Sequence, residues 1–329
     1  MKKNLLVVKG LKKYFGMSSG FLSRKKSWLK AVDGVSFTIG EGDTLGLVGE
    51  SGCGKTTLGN LVVNLLEPDE GSIWFDGTDF FPSSGKNSQS GRKNIQMIFQ
   101  DPYSSLNPRM RVCDIIAEPF YVHGERGENT SRKVLELMDA VGLSRSYYKR
   151  FPHEFSGGQR QRIGIARALA LNPKLIVCDE PVSALDVSIQ AQVLNLLKML
   201  QKEFSLTYLF ISHGLPGVKY ISNQIAVMYL GRIVEIGSKE ALFKSPLHPY
   251  TEGLFQAVPI PDPVFRDRKK KMLTGDIPRP TDLPGGCRFQ TRCRYVSEKC
   301  LQEEPPLMEY ASGHSTACHF PLKGGRGFW

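Results

Sequence analysis

The apolar positions of this chain follow two periods, and the points where one gives way to the other outline the fold. Leu5-Leu6-Val7-Val8 is a short apolar run and Val35-Ser36-Phe37-Thr38-Ile39 alternates apolar with polar, so both predict strands. The segment between them, Phe21 to Lys30, is basic with aromatic punctuation and reads as a long hairpin connection, either solvated or lying against lipid headgroups or a membrane subunit. From Thr44 the order becomes strand (45–48), glycine-rich loop and helix (Thr56 to about Leu66), which opens a parallel α/β unit. A polar loop is expected over 82–93. Helical periodicity then dominates from about Val112 to Ala170, broken at Phe151-Pro152-His153-Glu154. The apolar runs 175–178 and 206–211 restore the strands, so the pattern describes a parallel-sheet core carrying a helical insert.

Beyond Val258 the pattern changes. Pro259, Pro261, Pro263, Pro278, Pro280 and Pro284 bracket the charge run Arg266 to Lys271, and a domain boundary is expected there. With 329 residues, 41% of them hydrophobic, the chain has material for one large domain and a smaller one. No apolar run is long enough for a membrane span, and neither a span nor a secretory signal is expected. The formal charge of +11 fits a polyanion, whether nucleic acid, the anionic inner face of a membrane or nucleotide phosphates. Of the seven cysteines, Cys53, Cys113 and Cys178 are scattered, whereas Cys287, Cys293, Cys300 and Cys318 crowd the C-terminal part. Without an export signal, thiols or metal ligands are expected there rather than disulfides.

The chemistry begins at Gly49-Glu50-Ser51-Gly52-Cys53-Gly54-Lys55-Thr56-Thr57, which fits G-x-x-x-x-G-K-[ST] between a strand and a helix. Glycines let successive backbone N–H groups close around phosphates, and the helix N-terminus adds partial positive charge. Lys55 is placed for the β- and γ-phosphates and Thr56 for Mg²⁺. Further on, the apolar strand 175–178 runs into Asp179 and Glu180. A carboxylate for the metal, Asp179, followed by one free to polarise the attacking water, Glu180, is the arrangement that triphosphate hydrolysis needs.

With these two motifs in place, Phe155-Ser156-Gly157-Gly158-Gln159-Arg160-Gln161-Arg162 resembles the signature motif of ATP-binding-cassette ATPases. Physically, Ser156 and Gly158 open a helix at Gln159 and can offer a hydroxyl, amides and a positive helix end to a phosphate. The resemblance implies a P-loop NTPase cassette over 1–257: a RecA-like parallel-sheet core with an antiparallel β subdomain and a helical subdomain at about 101–165. It implies that Ser156, Gly157, Gly158 and Gln159 cap ATP held by an opposite subunit and that Gln100 reaches the metal and links nucleotide to a transmembrane subunit. It also implies that Asp186 joins the two cassettes, that His213 contacts the γ-phosphate, and that Phe15, with Tyr14 beside it as the alternative, stacks on adenine. The residue after His213 is Gly214, where the family often has Asp, which puts the local dimer contact in question.

Met97 to Arg109, Cys178 to Gln192 and Ser245 to Thr251 resemble the ATPase subunits of oligopeptide and dipeptide importers, with close relatives that carry nickel or oligosaccharides. That family implies a peripheral protein at the cytoplasmic face of the membrane. Its partners would be a second, homologous cassette, two permease subunits and, indirectly, an extracytoplasmic solute-binding protein. A nucleic-acid- or ribosome-acting cassette would suit the charge, but those carry tandem cassettes or a long coiled coil; here there is one phosphate loop and no sustained heptads, so no nucleic-acid partner is expected.

The intervals between Cys287, Cys293, Cys300 and Cys318 match neither zinc ribbons nor ferredoxin runs and leave the metal open between structural zinc, with His314 and His319 as substitute ligands, and iron–sulfur. The Cys287-Arg-Phe-Gln-Thr-Arg-Cys293 segment is similar to that of dipeptide-importer ATPases that hold a 4Fe-4S cluster. The resemblance therefore implies such a cluster in a domain spanning 258–329, with Arg288, Arg292 and Arg294 offsetting thiolate charge.

Overall fold

The computed structural model describes residues 3–18, 26–80, 93–101, 103–257, 275–276 and 278–322. The polar loop expected over 82–93 and the charge run 266–271 lie almost wholly or wholly outside those residues.

Two sheets carry the fold. β1 (Asn4–Ser18) and β2 (Lys26–Gly40) form a long antiparallel ribbon, joined by β4 (Glu70–Phe75) and β5 (Thr78–Asp79) in the order β2-β1-β4-β5. Residues 26–30 are therefore strand rather than connection. Tyr14 pairs with Lys30, Phe15 with Leu29 and Gly16 with Trp28, and these cross-strand contacts extend both strands beyond their apolar cores.

The second sheet is built on five parallel strands: β6 (Ile95–Ile98), β7 (Leu175–Asp179), β8 (Thr207–Ile211), β3 (Thr44–Val48) and β9 (Gln224–Tyr229). β3, β7 and β8 are buried along their whole length, as strands covered on both faces must be, which is why they read as continuous apolar runs. Alternate residues feed two cores. Leu175, Val177, Leu209 and Ile211 pack with the antiparallel sheet and α1 (Lys55–Val62), while Ile176, Cys178, Tyr208 and Phe210 pack with the helices on the other face. Helix α1 stops at Val62, short of Leu66, because Asn64 enters the left-handed region at φ 59° and Pro68 follows.

Between β6 and β7 lie α2 (Val112–Val122), α3 (Glu128–Ala140) and α4 (Gly157–Leu169), the helical insert; Pro152–Glu154 forms a single tight turn where the periodicity breaks. α5 (Val187–Glu203) and α6 (Leu215–Ile221) flank β8. β10 (Arg232–Ser238) turns back on β9, followed by α7 (Lys239–Lys244) and α8 (Pro249–Gln256). After the short helix α9 (Glu298–Gln302), the hairpin of β11 (Met308–Ala311) and β12 (His314–Thr316) adds to the edge of the same sheet, Glu235 pairing with Thr316. The C-terminal part thus extends the second sheet. No helix among the described residues is long and apolar enough to cross a membrane.

Candidate nucleotide-binding site

At the end of β3 the chain leaves the sheet through Gly49 and re-enters as α1. The loop closes tightly on β2. Gly54 has φ 107°, and a Cβ there would stand 2.0 Å from the Ala31 carbonyl oxygen, so a side chain is excluded by both backbone and space. Lys55 is buried and curls back along the loop, its Nζ donating to the carbonyls of Gly49 (2.9 Å) and Glu50 (3.0 Å). The Thr56 hydroxyl donates to Asp179 Oδ1 at 3.3 Å. Burial raises the Asp179 carboxyl, and the neighbouring Glu180 charge pushes the same way against the Thr56 hydrogen bond and the Lys55 charge.

Three parallel strands bring the remaining groups together at their C-terminal ends, where ligands of open α/β sheets collect. Glu180 follows β7, and its Oε2 accepts from Gln100 Nε2 at 3.2 Å, just past β6, and faces His213 Nδ1 at 3.1 Å, just past β8. Glu180 holds a left-handed φ of 46°, fixed by its N–H donating to the Ile211 carbonyl at 2.9 Å. For a residue with a side chain that conformation costs on the order of 1 kcal/mol, a strain spent on aiming the carboxylate.

A cleft of about 230 Å³ lies over the loop, lined by residues 51–57, Gln100 and Glu180, with Phe15, Leu29 and Lys30 along one side and Pro280 from the C-terminal segment. Phe15 lines the cleft and Tyr14 does not. Neighbours on a strand face opposite ways, and Tyr14 points its hydroxyl to Asp33. Glu50 is likewise turned away: its carboxylate is held by Arg292 at 2.7 and 2.9 Å, and its N–H donates to the Tyr250 hydroxyl at 2.9 Å.

The signature residues lie outside this cleft. Ser156 caps α4, its hydroxyl accepting from the Gln159 N–H at 3.4 Å while the Gln159 side chain accepts from the Ser156 N–H at 3.0 Å. Gly157 and Gly158 abut the start of α5, where a Cβ on Gly158 would stand 2.5 Å from Ile189 Cγ2. Asp186 is exposed at the N-terminus of α5, and Gly214 precedes α6, donating its N–H to Ser212 Oγ at 2.9 Å.

Cys287, Cys293, Cys300 and Cys318 do converge: all four line one small cavity of about 10 Å³, room for about one water, with His248, His319 and Phe289 among its walls. Burial pushes the Cys287 thiol up to about 11 and Cys318 up to about 12, and raises Cys293. Among the described residues, no group of three or more His, Cys, Asp or Glu side chains stands at metal-holding geometry, so neither a zinc nor an iron–sulfur site is preformed. His314 is not a substitute ligand, since its Nε2 pairs with buried Glu235 at 2.7 Å. The arginines do not surround the sulfurs either: Arg288 pairs with Asp33, Arg292 with Glu50 and Arg294 with Glu252. The Arg292–Glu50 pair, Tyr250 and Pro280 are the site-adjacent features that local sequence patterns miss.

The family described as "ABC transporter" matches residues 32–183, and "Oligopeptide/dipeptide transporter, C-terminal region" matches residues 234–300. The chain is 52% identical over 318 residues to the putative oligopeptide transport ATP-binding protein YkfD of Bacillus subtilis (strain 168), covering 96% of this chain and 95% of the relative. It is 51% identical over 325 residues to the oligopeptide transport ATP-binding protein AppF of the same organism, covering 97% and 98%. Among solved structures, the dimeric post-hydrolysis state of the ATP-binding cassette MJ0796 bound to ADP and Pi superposes with a TM-score of 0.63 at 26% identity, covering 71% of this chain and 98% of that one. The cleft, the strand-end carboxylates and likeness over nearly the full length lead to one conclusion: the chain belongs to the family of ABC-transporter ATP-binding proteins that includes those of oligopeptide and dipeptide transport.

Proposed function

We propose that the chain binds and hydrolyses ATP to energise import of oligopeptides or dipeptides. It would work at the cytoplasmic face of the membrane, as one of two cassettes beneath two permease subunits fed by an extracytoplasmic solute-binding protein. The observation that carries this reading is the meeting of Gln100 and His213 on Glu180 beside the phosphate loop. In it, residues 51–57 hold the phosphates and Phe15 stacks on the base. Thr56, Asp179 and Gln100 hold Mg²⁺, Glu180 polarises the attacking water, and His213 contacts the γ-phosphate. Ser156, Gly157, Gly158 and Gln159 stand outside their own cleft, which supports a head-to-tail pair of cassettes in which they and Asp186 act on the partner's nucleotide. Glu180→Gln keeps the shape and removes the water-polarising charge, so it should retain ATP binding and lose roughly two or more orders of magnitude in turnover. Near-normal turnover would refute the role given to Glu180.

We further propose that Cys287, Cys293, Cys300 and Cys318 hold a 4Fe-4S cluster. Four sulfur donors on one cavity support it. Such a cluster would supply a structural staple or a one-electron redox centre to a segment short of apolar core. Ligation requires thiolates, so binding would release protons, against the burial that raises the Cys287 and Cys318 thiols, and the cavity would have to open around it. Iron and acid-labile sulfide measured after anaerobic purification should be stoichiometric; a colourless protein carrying zinc, or no metal, would overturn the proposal.

A further inference from the structure

Glu50 is the second residue of the phosphate loop, yet it is not among the residues that line the cleft. Its carboxylate receives both terminal nitrogens of Arg292 at 2.7 and 2.9 Å, across 242 residues of sequence, and its N–H donates to Tyr250 Oη at 2.9 Å. The Arg292 side chain is 5% exposed and its guanidinium lies over the rings of Tyr229 and Phe289, 5.9 Å from each centroid. Those rings in turn pack on Tyr250: Tyr229 stands 4.6 Å from Tyr250 and 5.4 Å from Phe289. The fork is thus immobilised on an aromatic platform before it meets the carboxylate, the condition under which a two-pronged guanidinium–carboxylate pair fixes geometry and not only charge. Pro280, from the same C-terminal segment, lines the cleft itself.

We infer that Arg292 is a positioning residue for ATP binding: by clamping Glu50 it holds the phosphate loop in its phosphate-receiving shape, so that nucleotide affinity depends on the C-terminal segment. The inference rests on the reading of residues 49–57 as the phosphate site. The Lys55 ammonium is held by the carbonyls of Gly49 and Glu50, so releasing Glu50 releases the backbone that aims the lysine. The loss should therefore appear in ATP affinity and in the KM for ATP, with kcat at saturating ATP changed much less.

The test measures mant-ATP binding and steady-state ATPase activity on the full chain. Arg292→Met, which keeps the length and removes the fork, should weaken ATP binding about tenfold, as expected for the loss of a buried charge-assisted pair. Glu50→Gln should do the same, and the double variant should be no weaker than either single one. Arg294→Met is the control for merely fastening the segment, because Arg294 pairs with Glu252 on α8 and, among the described residues, makes no hydrogen bond or ion pair with the loop. A purely structural role predicts that the Arg292 and Arg294 variants behave alike; a positioning role predicts a raised KM in the Arg292 variant alone. Wild-type affinity in a folded Arg292→Met, equal effects of the two arginines, or additive losses in the double variant would each overturn the inference. If Arg292→Met does not fold, Arg292→Lys, which keeps the charge and loses the second prong, replaces it under the same criteria. Lys55→Ala separates the two levels: unchanged ATP affinity there would bring down the phosphate-site reading itself, whereas its loss beside an unaffected Arg292 variant would bring down this inference alone.

Discussion

Asp33, on β2, is where the C-terminal segment meets the strands that bring Phe15 and Leu29 to the cleft, and Asp33→Asn tests how firmly. The side chain is 5% exposed; its carboxylate accepts from the Tyr14 hydroxyl and from Arg288, with Arg232 Nη2 at 3.5 Å, and Arg288 and Arg232 also reach Glu304 at 2.9 and 3.1 Å. Burial alone would raise the carboxyl, but the hydrogen bonds from Tyr14 and Arg288 and the two guanidinium charges hold it down, from 3.8 to about 2. A depressed folded-state value stabilises the protein above the unfolded value, and that contribution drains away as pH falls from 3.8 toward 2. The full drop corresponds to on the order of 2–3 kcal/mol at neutral pH, of which about 1 kcal/mol is gone by pH 3. Asp33→Asn removes that contribution and leaves the buried Arg288 with Glu304 as its carboxylate, so a loss of about 3 kcal/mol is expected at pH 7. Urea titrations of both proteins at pH 7 and pH 3 measure it, and the gap should be about 1 kcal/mol narrower at pH 3. A gap below about 0.5 kcal/mol at pH 7, within the range of ordinary surface substitutions, or one that does not narrow at pH 3, would refute the reasoning.

Gly158→Ala places a methyl 2.5 Å from Ile189 Cγ2, so overpacking of about 1 kcal/mol should lower the thermal midpoint and ATP turnover together, with ATP affinity at the chain's own loop kept. Unchanged midpoint and turnover would contradict the packing of α4 on α5. Ser104→Cys and Ser105→Cys sit in the turn just after Gln100, fastened to the helical insert by Arg167 Nη1 donating to the Ser105 carbonyl at 2.8 Å. Crosslinks from them should land on a cytoplasmic loop of a permease subunit, and capture of lipid alone would defeat that placement.

The strand-end part of the candidate site was legible by two routes: Asp179 and Glu180 end an apolar run, whereas Gln100 and His213 came from the family resemblance. Gln100, Glu180 and His213 each follow a parallel strand, and parallel strands necessarily bring their C-terminal ends to one edge. The phosphate loop was legible because glycine positions and a strand-to-helix change are local signals. What was not legible depends on distant pairing. Nothing near Glu50 announces Arg292, and nothing near Tyr14 announces Asp33; that Phe15 lines the cleft and Tyr14 does not follows from strand alternation and from that hydroxyl's partner. The extension of β2 through Lys26–Lys30 escaped notice because its charges resemble a loop, while cross-strand contacts decide its conformation.

Arg288, Arg292 and Arg294 show why adjacency in sequence misled. The three lie beside Cys287 and Cys293, and thiolate charge suggested that they would gather around the sulfurs. In the fold the cysteines turn inward to one cavity and the guanidiniums outward, to Asp33 on β2, Glu50 on the phosphate loop and Glu252 on α8. Arg288 and Arg292 are buried in their pairs, and ion pairs so buried add little net stability over apolar packing of the same shape, because desolvation offsets most of the attraction. They are nevertheless costly to mismatch, since one guanidinium docked without its carboxylate is an uncompensated buried charge. Three carboxylates on three separate elements therefore admit one placement of a segment that has little regular structure to fix it otherwise. The cysteines gather that segment into a unit, and the arginines decide which face of the cassette it covers.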